Sequence, residues 1–518
     1  MPDTNAAEPV PERGPLPSDL APYLETLREA ERHLYAHRYA KKTLDVLGPT
    51  IDPAAVTADR GEALAVLEEE DHELVCSPEL KGALDHLSEH DAELDETTRA
   101  QVRVLRRTQE EMTLVPAADQ AELTRLTCEA NAVWTRAKRA DDWASFEPYV
   151  DRLVALMRRM AHERDPRRDA YDVWLDHFEQ GTSRAFYDDF FARVKDTVVP
   201  LLMDIRSKGY QPSRDCVEGR FDAARQWQLA RDVAELEGVN LDAWWLTETE
   251  HPFSEAMTTN YAVTAAHVYE GDVTRNLYTM LHEGGHNSYE QGVDPSFNYT
   301  SLSGGTSAGM HEGQSRFFEN YVGRDRAFAP HLLELLKRHF PGQMMRVTPQ
   351  QFWLATNRVE PQPIRTEADE LTYPLHVIIR YEIEQLLFSG EAKAADVPGL
   401  WKERYKGYLG VRVPNDRDGA LQDSHWSTGY FGYFPTYALG GAYGAQLKDQ
   451  MLADGVAWED DLSSGDLTEV REWLRQHIWR YGRSKDPDEL IRMACHTGFD
   501  PSHYTRYLDE KYRGIYGL

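Results

Sequence analysis

The chain is expected to be mainly α-helical and to fold as one large unit. Three observations predict this. Apolar residues recur at three- and four-residue spacing along most of the 518 residues. Strand-like composition is confined to one short stretch. No internal repeat, low-complexity linker or abrupt change of composition divides the chain. With 41% hydrophobic and 28% charged residues, it can bury a substantial core.

The elements follow in order. Residues 1–17 hold Pro2, Pro9, Pro11, Pro15 and Pro17 among charges and read as a disordered tail. From Ser18 the pattern turns helical, through Leu20, Leu24, Leu27, Ala30, Leu34 and Tyr35, with Ser18 or Asp19 available as N-cap. Amphipathic helices are expected near 52–70, 77–90, 95–112, 117–139, 144–163, 183–207 and 222–236. Tyr261 to Tyr269 is β-branched and aromatic, and is expected as a strand at the edge of a small sheet. Helices resume near 275–291, 308–322, 328–339, 349–357, 366–388, 396–407, 433–454, 467–480, 486–497 and 502–513. The chain thus divides into an N-terminal helical half (18–245) and a catalytic half (246–518).

The second half carries His282-Glu283-Gly284-Gly285-His286. On a helix, positions i and i+4 share a face, so the two imidazoles can converge on one Zn²⁺ while Glu283 reaches a water beside it. A third histidine six residues past His286 would complete one known arrangement, but Gly292 stands there. A glutamate on a separate helix completes the other. Gly304 to Ser307 form a helix-start loop, and Glu312 follows, 26 residues after His286. Glu290 lies on the same helix as the histidines and can hardly approach from the required side; a surface carboxylate, or one behind the ligands, is the expectation. His311 points about 100° away from Glu312 and is expected behind the ligands. Gly284 and Gly285 each cost a helix interior roughly 1 kcal/mol relative to alanine, which points to close approach by a neighbouring helix. His₂Glu sites accept Zn²⁺ and Co²⁺ alike.

A net charge of −30 argues against nucleic acid or an anionic membrane as partner. Cys76, Cys128, Cys216 and Cys495 form no Cys-x-x-Cys pair, the N-terminus has no signal-like apolar run, and no stretch approaches the ~18 apolar residues of a membrane span. A cytoplasmic protein is expected.

Several stretches resemble the carboxypeptidase Taq family of metallocarboxypeptidases. His251-Pro252-Phe253, the 282–286 motif, His311-Glu312-Gly313-Gln314, Ile364-Arg365-Thr366-Glu367-Ala368-Asp369 and Gly419 through Trp426 match its elements in order, from about residue 95 onward. The resemblance implies an all-helical, deep-cleft fold of the neurolysin type, with at most a small sheet by the metal helix. It also implies peptide substrates and a homodimer. The family's Asp-x-Arg-x-Thr element is reduced to Asn260-Tyr261-Ala262-Val263-Thr264, which keeps only the threonine. Arg365 then becomes the candidate for binding a substrate carboxylate, assisted by His267 or Arg275. His425 and Tyr433, then Tyr437, are candidates for donating to the developing oxyanion. Asp423 is expected to orient His425 or a metal-bound histidine, and His251 and His376 to be ordinary structural histidines.

The expected reaction is metal-assisted hydrolysis of C-terminal residues, with Glu283 as general base. Loss of the family arginine leaves an oligopeptidase or dipeptidyl carboxypeptidase as the alternative. A zinc-bearing scaffold that binds peptides without cutting them is disfavoured, because Glu283 ligates nothing yet is retained.

Overall fold

A computed structural model describes residues 19–51, 56–249 and 252–518. The proline-rich tail and His251 lie outside the described residues. Helices dominate, and three short strands form one small sheet.

The first helix, Ala21–Thr50, buries Leu24, Leu27 and Ala30. Its N-cap is Leu20, which makes no side-chain capping hydrogen bond, and not the expected Asp19; Ser18 lies outside the described residues. With helices Pro78–Glu89 and Glu96–Thr113 it encloses a small separate core that includes Leu80, Leu84, Leu87 and Leu105. Arg38 ties this unit to the carbonyls of Thr300 and Ser303, while Lys42 donates to the carbonyl of Ala256. The main core runs without interruption from Val115 to Tyr516.

Most helices fall within a few residues of their expected places, because amphipathic spacing is set by burial. The departures have local causes. The helix expected from 366 begins at Tyr373: Asp369 accepts the backbone N–H of Thr372, and Pro374 sits in the first turn, where its fixed φ favours a helix start. The helix expected over 308–322 is α-helical over Ala308–Arg316 and widens to a π-turn over Phe317–Val322. Helices Ala170–Phe178 and Trp458–Ser464 have too few turns for a periodic signal and were not expected.

The sheet corrects one expectation. Strands β1 (Trp244–Glu248), β2 (Phe253–Thr258) and β3 (Tyr261–Ala266) are ordered β1-β3-β2, so the strand read from the sequence is central, not an edge. β3 pairs parallel with β1 and antiparallel with β2. A strand covered on both faces loses its alternation, and Ala262 through Ala266 are all buried. The edge facing the cleft is β2, where Ser254 donates to the carbonyl oxygen of Glu283. Thr264 accepts from Trp244 Nε1 and Asn287 Nδ2, pinning the sheet to the helix that carries both histidines.

Candidate metal centre

Helix Val273–Gly292 starts at Asp272, which accepts the backbone N–H of Thr274. It presents His282 and His286 on one face. Helix Ala308–Arg316 starts at Ser307, whose hydroxyl accepts from Met310, and it presents Glu312. The two helices approach through Gly285: a Cβ there would stand 2.5 Å from the carbonyl oxygen of Gln314. A third helix, Phe434–Ala453, closes on Glu312 through Gly440, where a Cβ would stand 2.7 Å from the Glu312 backbone. Gly284 faces the buried Glu237 instead.

The ligand atoms converge. His282 Nε2 lies 3.8 Å and His286 Nε2 3.7 Å from the same oxygen of Glu312. Tetrahedral bonds of about 2.0–2.1 Å would separate such atoms by roughly 3.3 Å, so small side-chain shifts suffice to seat one ion. The other Glu312 oxygen is occupied by Arg316 Nε at 2.7 Å, which leaves a single oxygen facing the histidines. Among the described residues this is the one His/Cys/Asp/Glu group close enough to share an ion. The donor set fits a divalent metal with an open coordination position.

Each histidine is held from behind. His282 Nδ1 lies 3.0 Å from Glu319, which the π-turn brings round and which Arg316 Nη1 also contacts at 2.8 Å. Burial alone would raise the Glu319 carboxyl; the Arg316 charge and the His282 hydrogen bond hold it well below the usual range. Glu319 escaped the sequence reading, although its place seven residues after Glu312 puts it on the same helix face. His286 Nδ1 lies 2.6 Å from His311 Nδ1, and His311 Nε2 lies 2.8 Å from Glu290. Glu290 is thus not a surface carboxylate. Burial would raise it, but hydrogen bonds from His311 and from the backbone N–H of Gly305 hold it down.

Glu283 is buried, and its Oε2 has no hydrogen-bond partner. Burial pushes its carboxyl upward, opposed by the His282 charge. Two cavities, of about 980 and 520 Å³, meet at Pro252, His282 and Glu283. The smaller is bordered by Phe253, Ser254, Tyr433 and Tyr437. Burial keeps both tyrosine phenols well above their ordinary range, so they are O–H donors.

Four expected site residues are placed differently. His425 does not border either cavity; its Nε2 lies 3.1 Å from the Tyr437 hydroxyl, and burial and the Arg365 charge push its pKa down to about 3. It meets the smaller cavity through Tyr437. Asp423 hydrogen-bonds no histidine; it accepts from Arg365 Nε and Nη2 at 3.0 and 2.9 Å and from Arg380 Nε at 2.7 Å. Arg365 borders the larger cavity, but its bidentate face is turned to Asp423 and its Nη1 to the Tyr373 hydroxyl. Its ion pair is therefore with Asp423, 58 residues on, and not with Glu367, Asp369 or Glu370 close by in sequence. His267 contacts the carbonyl oxygen of Thr249 at 3.2 Å and borders neither cavity. Ala262, where the family element has arginine, is core. Arg275 does border the larger cavity, paired with Glu367.

The remaining matched motif residues lock the walls together. Gln422 Oε1 accepts the backbone N–H of Arg365, and Gln314 Oε1 accepts from Trp479 Nε1. The buried Glu179 accepts from Ser307 Oγ, Gly309 N and Tyr443, bracing the start of the Glu312 helix. Glu384 accepts from Tyr171, Trp426 Nε1 and Gly432 N, bracing the turn before Tyr433.

A helical cleft built around two histidines, an adjacent free glutamate and a glutamate from a second helix defines a metallopeptidase class. Comparison supplies the family. The model of the carboxypeptidase Taq (M32) metallopeptidases matches residues 26–512, and the chain belongs to that family. It is 34% identical to carboxypeptidase 1 of Bacillus subtilis over 466 residues, 90% of this chain and 93% of that protein. Against thermostable carboxypeptidase 1 of Pyrococcus furiosus it is 33% identical over 471 residues, covering 88% and 91% of the two chains. The crystal structure of the M32 carboxypeptidase from Deinococcus radiodurans superposes with a TM-score of 0.93 at 32% identity, covering 96% of this chain and all of that one. The protein is accordingly a peptide hydrolase of the metallocarboxypeptidase type. Among the described residues no helix is long and apolar enough to cross a membrane.

Proposed function

We infer that this chain removes C-terminal residues from peptides, using Zn²⁺ held by His282, His286 and Glu312, with Glu283 as general base. The observation that carries this reading is the convergence of both Nε2 atoms on one Glu312 oxygen beside a buried carboxylate with a free oxygen. When bound, the metal supplies Lewis acidity and lowers the pKa of water towards ~7. Glu283 Oε2 accepts the proton of the attacking water and returns it to the leaving amine. The raised carboxyl makes Glu283 a stronger base than an exposed glutamate. Tyr433 donates a hydrogen bond from its hydroxyl to the developing oxyanion, and Tyr437, backed by His425, positions that side of the cleft. The unpaired edge of β2 at Phe253 and Ser254 supports backbone pairing with an extended substrate.

Three observations favour the longer-product alternative. Arg365 is committed to Asp423, and Ala262 replaces the family arginine, while the cavity beyond His282 reaches about 980 Å³. Release of dipeptides would follow from such room. Product lengths from a set of free-acid and C-terminally amidated peptides decide the matter. Single residues released only from free acids support the carboxypeptidase reading; equal rates on amides sink it. The reading also takes the working protein to be a cytoplasmic homodimer, which sedimentation and cell fractionation test.

A further inference from the structure

His282 and His286 are supported in different ways. Behind His282 stands a carboxylate, Glu319. Behind His286 stands a second imidazole, and the carboxylate, Glu290, lies one residue further out. We propose that Glu290 and His311 form a two-residue relay that sets the tautomer of His286 and so presents its Nε2 lone pair to the metal. The proposal rests on the reading of His282, His286 and Glu312 as ligands.

Hydrogen-bond polarity carries the argument. Two neutral imidazoles whose Nδ1 atoms lie 2.6 Å apart must share one proton between them. If His311 Nδ1 carried it, His286 would bear its own proton on Nε2, aimed at Glu312 and closed to a metal. His311 Nε2 would then turn a lone pair on the Glu290 carboxylate at 2.8 Å, which is repulsive. In the opposite arrangement Glu290 accepts His311 Nε2–H, His311 Nδ1 accepts His286 Nδ1–H, and His286 Nε2 is free to ligate. Every donor and acceptor is then matched. An ionised Glu290 can only accept, so of the two neutral arrangements its charge selects this one.

The imidazole in the middle is clamped. A Cβ at Gly305 would stand 2.7 Å from His311 Cδ2 and 2.6 Å from Tyr289 Cε1, so the loop backbone lies directly on both rings. Glu290 also accepts the backbone N–H of Gly305 at 3.1 Å. One carboxylate therefore fixes the ring and the loop that covers it. Glu290 and His311 act through His286 and are positioning residues, not catalytic ones.

The test is metal affinity, measured by titrating apo-protein with Zn²⁺ against a chromophoric chelator, with the melting temperature of each apo-variant as the fold control. H311L should weaken binding by roughly 10–100-fold, the usual cost of removing a group behind a metal histidine. H311Q should recover most of that loss, because its amide can accept from His286 Nδ1–H and donate to Glu290. E290A should weaken binding too, and should cost less when added to H311L than when made alone, since the relay acts in series. Wild-type affinity in H311L overturns the proposal, as does equal weakening by H311L and H311Q. If H311L fails to fold, E290A carries the test, and wild-type affinity in that variant overturns it. Failure of the wild-type protein to bind one Zn²⁺ per chain would instead overturn the ligand reading itself.

Discussion

In the proposed mechanism, single side chains separate three jobs around one point: holding the ion, moving the proton and steadying the oxyanion. Glu283 is buried beside the triad yet bonds to nothing through Oε2, which makes it the proposed group for proton transfer. E283Q should retain one Zn²⁺ per chain while turnover falls by roughly 10²–10⁴-fold; metal analysis and peptide hydrolysis together check this. Full residual activity would remove Glu283 from the mechanism. Y433F should lower kcat by roughly 10²-fold with KM and metal content little changed, as loss of one oxyanion donor does elsewhere. H425A should act more weakly than Y433F, because His425 reaches the cleft only through Tyr437. An H425A defect exceeding that of Y433F would restore His425 to the direct role the sequence suggested.

At the scale of elements, the centre depends on how closely three helices can approach. Gly285 lets the histidine helix touch the backbone of Gln314 and Ser315, and Gly440 lets a third helix touch Glu312. Backbone cannot swing aside as a side chain can. G285A should therefore destabilise the fold by about 1–3 kcal/mol, read from denaturant unfolding, and weaken Zn²⁺ binding by parting His286 from Glu312. G61A on an early helix meets nothing within 4 Å and is the matched control, expected to be neutral or slightly stabilising.

Across the whole molecule, buried carboxyls tie the cleft walls to the core and make stability depend on pH. Glu179 and Glu384 are fully buried, and burial lifts each to about 7 from an ordinary value of 4.5. Below pH 4.5 both are protonated whether the chain is folded or not. Between 4.5 and 7 the unfolded chain releases these protons while the folded one keeps them, so stability falls as pH rises and levels off above 7. Each group accounts for a decline of about 3 kcal/mol. E384Q should remove roughly half of the two-group slope in chemical-denaturation curves taken from pH 5 to 8. An unchanged slope would show that Glu384 is ionised in the folded protein.

The sequence by itself determined what depends on local spacing. Helix periodicity, the i,i+4 histidines, the adjacent Glu283, and Glu312 on a second helix were all legible, because each is set within a few turns of one chain segment. Glycine pairs even announced the close helix approach, since they are costly without one. Only the tertiary structure decided which partners those residues meet. Arg365 had several acids nearby in sequence, yet Asp423, 58 residues away, takes it. The central place of β3 follows from β1 and β2, whose sequences, Trp-Trp-Leu-Thr-Glu and Phe-Ser-Glu-Ala-Met-Thr, lack the adjacent β-branched pair Val263-Thr264 that marks β3. His311 was expected behind the ligands and Glu290 there or at the surface, but that both stand in series behind His286 was decided only when two helices crossed. Local pattern encodes which face a side chain occupies, whereas charge pairing and hydrogen-bond polarity are settled between segments that only packing brings together.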